Sequence, residues 1–194
     1  SETGMIAAKI GCESEAKYAI QITNIGSGYS RLTDDFLYNA WNFEGQEVFK
    51  RAVKAMAQAS EDVLEQAGMS LDDIKLVVPH QANKRILNAL AKRIGIDEDK
   101  VFVNVHKYGN TSAGTIPVAL AEALEEKRIE PGDHILMASF GAGLTYGASL
   151  IKWGDRVVPL KSSDAKLPPC EKTALELIAA HIERYKTRDL SSTS

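Results

Sequence analysis

The 194-residue sequence is poor in cysteine, has no long apolar run and carries no excess of positive charge. Its two cysteines, Cys12 and Cys170, lie far apart without the spacing of a metal site, which is typical of a protein from a reducing cytosol. No apolar run approaches the roughly 20 residues that a bilayer span needs. The net charge of -3 at pH 7 gives no basic field for nucleic acid or an anionic membrane. We therefore expect a cytoplasmic protein with no metal site and no nucleic-acid or membrane partner.

The first residues, Ser1 to Gly4, contain no initiator Met and do not resemble a signal peptide. A strand pattern follows almost at once, so this start predicts a fragment of a longer protein. Hydrophobic residues make up 44% of the chain. That share supports a core in one domain, or in one large half of a bigger domain.

Hydrophobic periodicity predicts an α/β fold. Strands are expected at 5–10, 18–25, 76–79, 101–105, 135–139 and 145–153, and helices at 46–68, 83–94, 112–128 and 172–185. The first two segments are either two strands or one strand and its continuation. Residues 29–43 are irregular and rich in aromatic side chains. They are interpreted either as a packed surface loop or as a wall of a ligand pocket.

The helix predicted at 112–128 has no charged face in its first half, from Ala113 to Ala121. A helix that is small and apolar all round is buried on all sides. One sheet with helices on two faces does not bury it fully, so this helix predicts a second layer outside the chain.

Three predicted strands end in residues that can carry chemistry. His80 follows the strand that breaks at Pro79, Asn110 follows the strand at 101–105, and the loop 141–143 follows the strand at 135–139. Because the ends of parallel strands meet at one edge of a sheet, the three can converge. Each alone has a simpler interpretation: a structural histidine, a helix cap and an ordinary glycine turn.

Three motifs in this order resemble the β-ketoacyl-acyl carrier protein (ACP) synthase III family of thiolase-fold condensing enzymes. They are Pro-His-Gln-Ala-Asn at 79–83, Gly-Asn-Thr-Ser-Ala at 109–113 and Ser-Phe-Gly-Ala-Gly-Leu-Thr-Tyr-Gly at 139–147. The helix start Gly-Gln-Glu-Val-Phe-Lys at 45–50 is also similar. The resemblance covers residues 4–155 and matches only the carboxy-terminal half of the family.

The resemblance implies half of a thiolase-like fold, which is a five-stranded mixed sheet with helices on its faces. Residues 1–158 are then the carboxy-terminal half-domain. Residues 159–194 form a linker and an appended amphipathic helix, which is a carboxy-terminal helical extension.

The resemblance also implies a decarboxylative Claisen condensation of acyl-CoA with malonyl-ACP, without a cofactor. His80 and Asn110 are the implied catalytic pair, and the amide N–H of Ala142 is an implied oxyanion donor. The implied substrate and pantetheine contacts are Asn83, Arg85, Gly141, Gly143 and Phe43, with Phe36 and Trp41 as further candidates for the acyl pocket. Neither Cys12 nor Cys170 has the sequence context of the family's nucleophile, which lies in the amino-terminal half.

The expected partners are therefore acyl carrier protein, CoA thioesters and a cysteine-bearing amino-terminal half, in a homodimer of the complete enzyme. The isolated chain is expected to be inactive. Two alternatives stay open: a non-catalytic partner subunit of the same fold, and a hydroxymethylglutaryl-CoA or chalcone-type synthase fragment. The sequence leaves open the acyl primer, the pathway and the role of residues 161–194.

Overall fold

The structure is a computed structural model that describes residues 3–22, 41–159, 164–166 and 168–186. The chain divides into two compact units, Ser1–Pro159 and Leu160–Ser194. Most of the predicted aromatic segment lies outside the described residues, including Phe36.

The larger unit is built on a mixed sheet, and its described strands have the order β1-β6-β5-β4. Strand β1 (Gly4–Cys12) pairs antiparallel with β6 (Thr145–Lys152), and β6 pairs antiparallel with β5 (His134–Gly141). Strand β5 pairs parallel with β4 (Leu76–Pro79). The α/β class and the mixed sheet expected from the sequence are confirmed.

The prediction of a strand at 101–105 is wrong, because the sheet has four strands among the described residues and this segment is not one of them. Val101 forms only an isolated parallel bridge with Val77, and the Phe102 N–H donates to the Val77 carbonyl at 2.9 Å. The segment then leaves the sheet and enters a short helix, α3 (Val105–Tyr108). Val101 and Phe102 are buried beside β4, so burial accounts for the apolar run that resembled a strand.

The side chain of Gln81 provides the hydrogen bonds that a fifth strand would have made. Its Nε2 donates to the carbonyls of Pro79 (2.9 Å) and Phe102 (3.0 Å). Its Oε1 accepts from the N–H groups of Asn104 (2.9 Å) and Val105 (3.2 Å). The side chain is only 1% exposed, and these four bonds use both donors and both lone-pair positions of the carboxamide.

Two helices pack on one face of the sheet. Helix α1 (Gly45–Ala67) lies against β6, β5 and β1 and ends at Gly68, whose φ of 64° is the left-handed conformation that glycine adopts without strain. Helix α2 (Lys84–Ile94) packs on α1. Its first turn is capped by Asn83, whose Oδ1 accepts from the Ile86 N–H at 3.0 Å.

Helix α4 (Thr115–Glu125) covers the other face near β4, after a 3-10 turn at Ser112–Gly114. Ala119 and Ala123 are fully buried in the cluster that contains Leu76 and Val78. The predicted burial on all sides is not reached among the described residues, because Ala113, Pro117 and Ala121 remain exposed. The outer apolar side of α4 thus has no second layer in the part of the chain that the structure describes.

A small hairpin flanks the sheet. Strand β2 (Ile20–Ile22) pairs antiparallel with β3 (Trp41–Phe43), so the last three residues of the segment predicted as irregular form a strand. Ala19 next to β2, Val48 in α1 and Leu144 in the β5–β6 loop form a buried cluster. This cluster fixes the hairpin against the start of α1.

The second unit contains helix α5 (Ala174–Lys186), close to the helix predicted at 172–185. The Glu176 carboxylate accepts from the N–H (2.6 Å) and hydroxyl (2.7 Å) of Thr173, which caps the helix. Leu175, Leu177 and Ile178 are exposed. Among the residues that the structure describes, no helix combines the length and the apolar character that crossing a bilayer requires.

Replacing Gln81 by Met should lower the free energy of unfolding by about 3 kcal/mol, because it leaves buried backbone N–H and C=O groups without partners while keeping the side-chain volume. Urea denaturation of the 194-residue chain measures the change.

The matched control is Gln58→Met. Gln58 is exposed, and its side chain donates to Asp62, one turn away in α1, at 3.0 Å. Its replacement should change the stability by less than about 0.5 kcal/mol. Equal losses in the two variants would show that the Gln81 hydrogen bonds do not hold the fold.

Candidate active site

His80 lies where β4 ends, and both its backbone and its ring are fixed. Its N–H donates to the Ala138 carbonyl in β5 at 2.8 Å, and its carbonyl accepts from the Ala82 N–H at 2.8 Å. The ring Nδ1 is 2.6 Å from the Thr115 hydroxyl at the start of α4. Burial of the half-buried ring lowers the pKa of His80, since the charged form loses hydration. At neutral pH the ring is therefore a neutral imidazole.

Asn110 lies on the exposed loop between α3 and α4. Its Oδ1 accepts from the Ser112 N–H at 2.9 Å. This bond distinguishes the two ends of the carboxamide, because the oxygen is the atom that accepts. No hydrogen bond joins the NH2 group of Asn110 to a described residue, so this group is available as a donor.

A buried carboxylate attaches the Asn110 loop to α4. Glu122 accepts from the Asn104 side chain at 2.8 Å and from the Lys107 ammonium. Lys107 also lies 3.4 Å from the Glu126 carboxylate. The hydrogen bond from Lys107 is the main reason why the pKa of Glu122 lies below its ordinary value, and Asn104 adds to the effect. Glu122 is thus ionised, and it holds both ends of the segment from Asn104 to Lys107.

The third motif forms the loop between β5 and β6. Gly143 has a φ of 133°, and a Cβ there would lie 2.9 Å from the Thr145 side chain and 3.1 Å from its backbone nitrogen, so only glycine fits. Leu144 is fully buried, and its carbonyl accepts from the Glu13 N–H at 2.8 Å. Ala142 at the tip is exposed. The buried Leu144 therefore holds the loop in place, while the backbone turn at Ala142 stays exposed.

The residues implied in pantetheine binding lie around the start of α2. Asn83 is exposed, and its Oδ1 is used in capping the helix. The Arg85 guanidinium lies 5.9 Å from the centre of the Phe49 ring, which is within reach of a cation–π contact. Phe43 is 59% exposed in the β2–β3 hairpin. The side chains of Phe36 and Trp41 lie outside the described part of the structure.

The structure joins His80 to Thr115 by a hydrogen bond, and Thr115 directly follows the Asn110 loop, whereas no hydrogen bond among the described residues links Phe43 or Arg85 to this group. A groove of about 600 Å³ lies elsewhere, beside α2 and the turn Glu98–Lys100, and neither His80 nor Asn110 lines it. In the ranges that the structure describes, no three His, Cys, Asp or Glu side chains lie close enough together to hold a metal.

Sequence reasoning missed Gln81, Asn104, Thr115 and Glu122. One signal could have found two of them: Thr115 and Glu122 are polar residues in a helix that is otherwise apolar along its first two turns. Both are buried, and buried polar groups need partners. Their partners lie in other elements, so periodicity could not identify them.

Comparison with known proteins identifies the family. The family model for "3-Oxoacyl-[acyl-carrier-protein (ACP)] synthase III C terminal" matches residues 64–153. The beta-ketoacyl-[acyl-carrier-protein] synthase III 2 of Vibrio cholerae is 48% identical over 185 residues, which cover 95% of this chain and 51% of that protein. The beta-ketoacyl-[acyl-carrier-protein] synthase III of Roseiflexus castenholzii is 43% identical over 155 residues, or 77% of this chain and 46% of the relative.

Solved structures agree. The crystal structure of 3-oxoacyl-[acyl-carrier-protein] synthase III from Aquifex aeolicus superposes with a TM-score of 0.69 at 40% identity, covering 79% of this chain and 46% of that one. The chain spans about half the length of the curated relatives that it matches. The chain belongs to the β-ketoacyl-acyl carrier protein synthase III family of thiolase-fold condensing enzymes, and it corresponds to the carboxy-terminal half of that fold.

Proposed function

We propose that this chain supplies the His/Asn half of an active site that condenses an acyl-CoA with malonyl-ACP, to initiate a fatty acid or polyketide chain. The observation that carries the proposal is the state of His80. It is a neutral imidazole at the end of β4, with Nδ1 hydrogen-bonded to Thr115 and with Nε2 bonded to no described residue. A neutral ring of this kind can donate a hydrogen bond to an oxygen that gains negative charge.

The reaction has two half-reactions. In the first, a cysteine thiolate attacks the carbonyl of acyl-CoA, and CoA leaves as a thiolate that takes up a proton. In the second, malonyl-ACP loses CO2, and the electrons of the broken C–C bond form a carbanion that is delocalised onto the thioester oxygen. The carbanion attacks the acyl-enzyme, a C–C bond forms, and the cysteine thiolate is released. No metal or organic cofactor is required.

In this proposal His80 and Asn110 serve the second half-reaction. The Nε2–H of His80 and the NH2 group of Asn110 donate to the thioester oxygen as its charge develops. Donors held in place before the charge appears need no reorganisation, and each contributes about 3 kcal/mol to the transition state. The hydrogen bonds through Gln81, Asn104 and Glu122 support this role because they fix both segments.

The acyl-enzyme oxygen is assigned to the loop at 141–143. The amide N–H of Ala142 is the proposed donor, and Gly141 and Gly143 let the backbone approach the substrate closely. Arg85 is assigned to the phosphate of CoA or of the carrier-protein phosphopantetheine, Asn83 to the pantetheine arm, and Phe43 to the acyl pocket. The exposure of Asn83, Arg85 and Phe43 is compatible with substrate contact.

The nucleophile is proposed to come from a cysteine-bearing amino-terminal half, within a homodimer of the complete enzyme. Both cysteines of this chain are exposed. Cys12 lies at the end of β1 with its Sγ 3.8 Å from the Gly143 carbonyl, and Cys170 lies in the second unit. Neither begins a buried helix, which is where the family resemblance places the nucleophile.

The 194-residue chain alone should therefore not become acylated. Incubation with radiolabelled acetyl-CoA, followed by acid trapping, should leave no stable thioester. Cys12→Ser and Cys170→Ser identify the site of any label. A stoichiometric label that disappears in the Cys12→Ser variant would show that this chain carries its own nucleophile.

With a cysteine-bearing half supplied, His80→Ala and Asn110→Ala should each spare most of the acyl-transfer half-reaction. Each should slow decarboxylation of malonyl-ACP by about 100-fold, the loss expected for one preorganised donor. The double variant should lose less than the product of the two effects, because both donors serve one oxygen. The two half-reactions are measured separately, by acetyl-CoA labelling and by release of labelled CO2.

The opposite pattern would assign another role to His80. If His80→Ala abolished acyl transfer and left decarboxylation intact, His80 would be the base of the cysteine rather than a donor. If neither half-reaction changed, the alternative of a non-catalytic partner subunit would be favoured.

Arg85→Gln should raise the Michaelis constant for the carrier protein about fivefold at low salt, because an exposed ion pair contributes about 1 kcal/mol at most. The effect should shrink as the ionic strength rises, since salt screens the attraction. The control is Lys54→Gln, which removes an exposed positive charge from α1. If both variants changed the Michaelis constant equally, net charge rather than a phosphate contact at Arg85 would be responsible.

A further inference from the structure

The side chain of Thr115 is buried, and its hydroxyl contacts the ring of His80. It is the first residue of α4 and is 2% exposed. Its Oγ1 lies 2.6 Å from His80 Nδ1. One of these two atoms must donate the hydrogen to the other, and the choice decides which nitrogen of the imidazole carries the proton.

The first possibility is that the Nδ1–H of His80 donates to Thr115. The threonine O–H would then need a different acceptor, because a buried donor without a partner is costly. The usual acceptor for a threonine in a helix is the carbonyl four residues earlier, which here belongs to Thr111. That carbonyl already accepts from the Gly114 N–H at 3.1 Å, and no hydrogen bond links it to the Thr115 hydroxyl.

In the second possibility, no buried donor is left without an acceptor. If the Thr115 O–H donates to the lone pair of Nδ1, the hydroxyl hydrogen and the ring nitrogen are both satisfied. The hydroxyl oxygen needs no other partner in this arrangement, because its one hydrogen and the ring lone pair form the 2.6 Å contact. We infer that Thr115 is a positioning residue that holds His80 as the tautomer with its proton on Nε2.

The tautomer decides what His80 can do. With the proton on Nε2, the free side of the ring donates a hydrogen bond. With the proton on Nδ1, that side presents a lone pair, which repels a developing oxyanion. The consequence for catalysis rests on the function proposed above, whereas the tautomer itself is a property of this chain.

The position of Thr115 explains how the fold keeps this contact. Residues 110 to 115 run directly from the Asn110 loop into α4, and Glu122 two turns later is bonded to Asn104. The helix that delivers the hydroxyl to His80 is therefore held by the same hydrogen bonds that hold the loop of the second proposed donor. Helix α4 therefore contacts the ring of His80 and also continues the loop that carries Asn110.

Nitrogen NMR of the 194-residue chain, labelled with 15N only at histidine, tests the tautomer directly. His80→Gln identifies the signals of His80 among those of the four histidines. At pH 7.5 the wild-type ring should show Nδ1 in the range of an unprotonated nitrogen and Nε2 in that of a protonated one. A wild-type ring with its proton on Nδ1 overturns the inference without any Thr115 variant.

The variants test whether Thr115 is the cause. Thr115→Ser keeps the hydroxyl and should preserve the two His80 shifts. Thr115→Val keeps the shape without the hydroxyl and should move both shifts toward a mixture of tautomers. Thr173→Val, the same replacement in the second unit, should leave them unchanged. Unchanged His80 shifts in a folded Thr115→Val chain contradict the inference.

The effect of Thr115 on catalysis is measured in the reconstituted enzyme. Thr115→Val should lower the rate constant of malonyl-ACP decarboxylation about tenfold, less than the loss of a whole donor, with the Michaelis constant unchanged, and Thr115→Ser should restore the rate to within about twofold. If the NMR result holds but His80→Gln does not slow decarboxylation, the proposed function fails and the tautomer assignment stands. If Thr115→Val slows decarboxylation without changing the tautomer, Thr115 acts in some other way and the inference fails.

Discussion

The arrangement of the site depends on one buried carboxamide. Gln81 bonds to the end of β4 on one side and to the segment at 102–105 on the other. Asn104 continues the chain of hydrogen bonds to Glu122 in α4, and the first residue of α4, Thr115, returns to His80. Together with helix α4, these contacts link the end of β4, the segment at 102–105 and the ring of His80, so His80 cannot move away from Thr115 without breaking a hydrogen bond.

A set of hydrogen bonds of this kind stabilises a site only when each member is satisfied, because a half-satisfied polar network costs more than an apolar core. The described residues meet this condition, since no buried side-chain nitrogen or oxygen among them lacks a hydrogen-bond partner. Glu122 illustrates the principle: a carboxylate inside an apolar helix is tolerated because Asn104 and Lys107 both bond to it. The hydrogen bonds depend on direction, so they fix the positions of the polar side chains at the site. The hydrophobic clusters around the sheet contribute buried apolar surface.

Local patterns were sufficient for the long helices and for the strand ends. Helix α1 has a clear periodicity and a glycine stop, and α2 has an asparagine cap, so both were predicted within one or two residues. His80 and Asn110 could be selected because their motifs follow strand-like segments in the family order. The fifth strand was predicted wrongly because a short apolar run indicates burial but not hydrogen-bonding partners. Sequence cannot show that a glutamine 20 residues earlier replaces the neighbouring strand.

The contacts that sequence could not provide are all between distant elements. Thr115 bonds to a ring 35 residues earlier, and Asn104 to a carboxylate 18 residues later. Neither pair has a spacing that a helix or a strand would impose. The roles of these residues follow only once β4, α3 and α4 have been placed around one another.

The pairing of β1 with β6 bears on the order in which the molecule can assemble during translation. In sequence the two strands lie near opposite ends of the larger unit, and within the part of the chain that the structure describes β1 has β6 as its sole neighbour in the sheet. While the ribosome makes the intervening residues, β1 lacks its partner strand β6, although α1 and α2 are already complete. Closing so long a loop carries an entropic cost before any contact is gained. The loop at 141–143 can take its final shape only at this last step, because Leu144 bonds to the backbone of Glu13, just beyond β1.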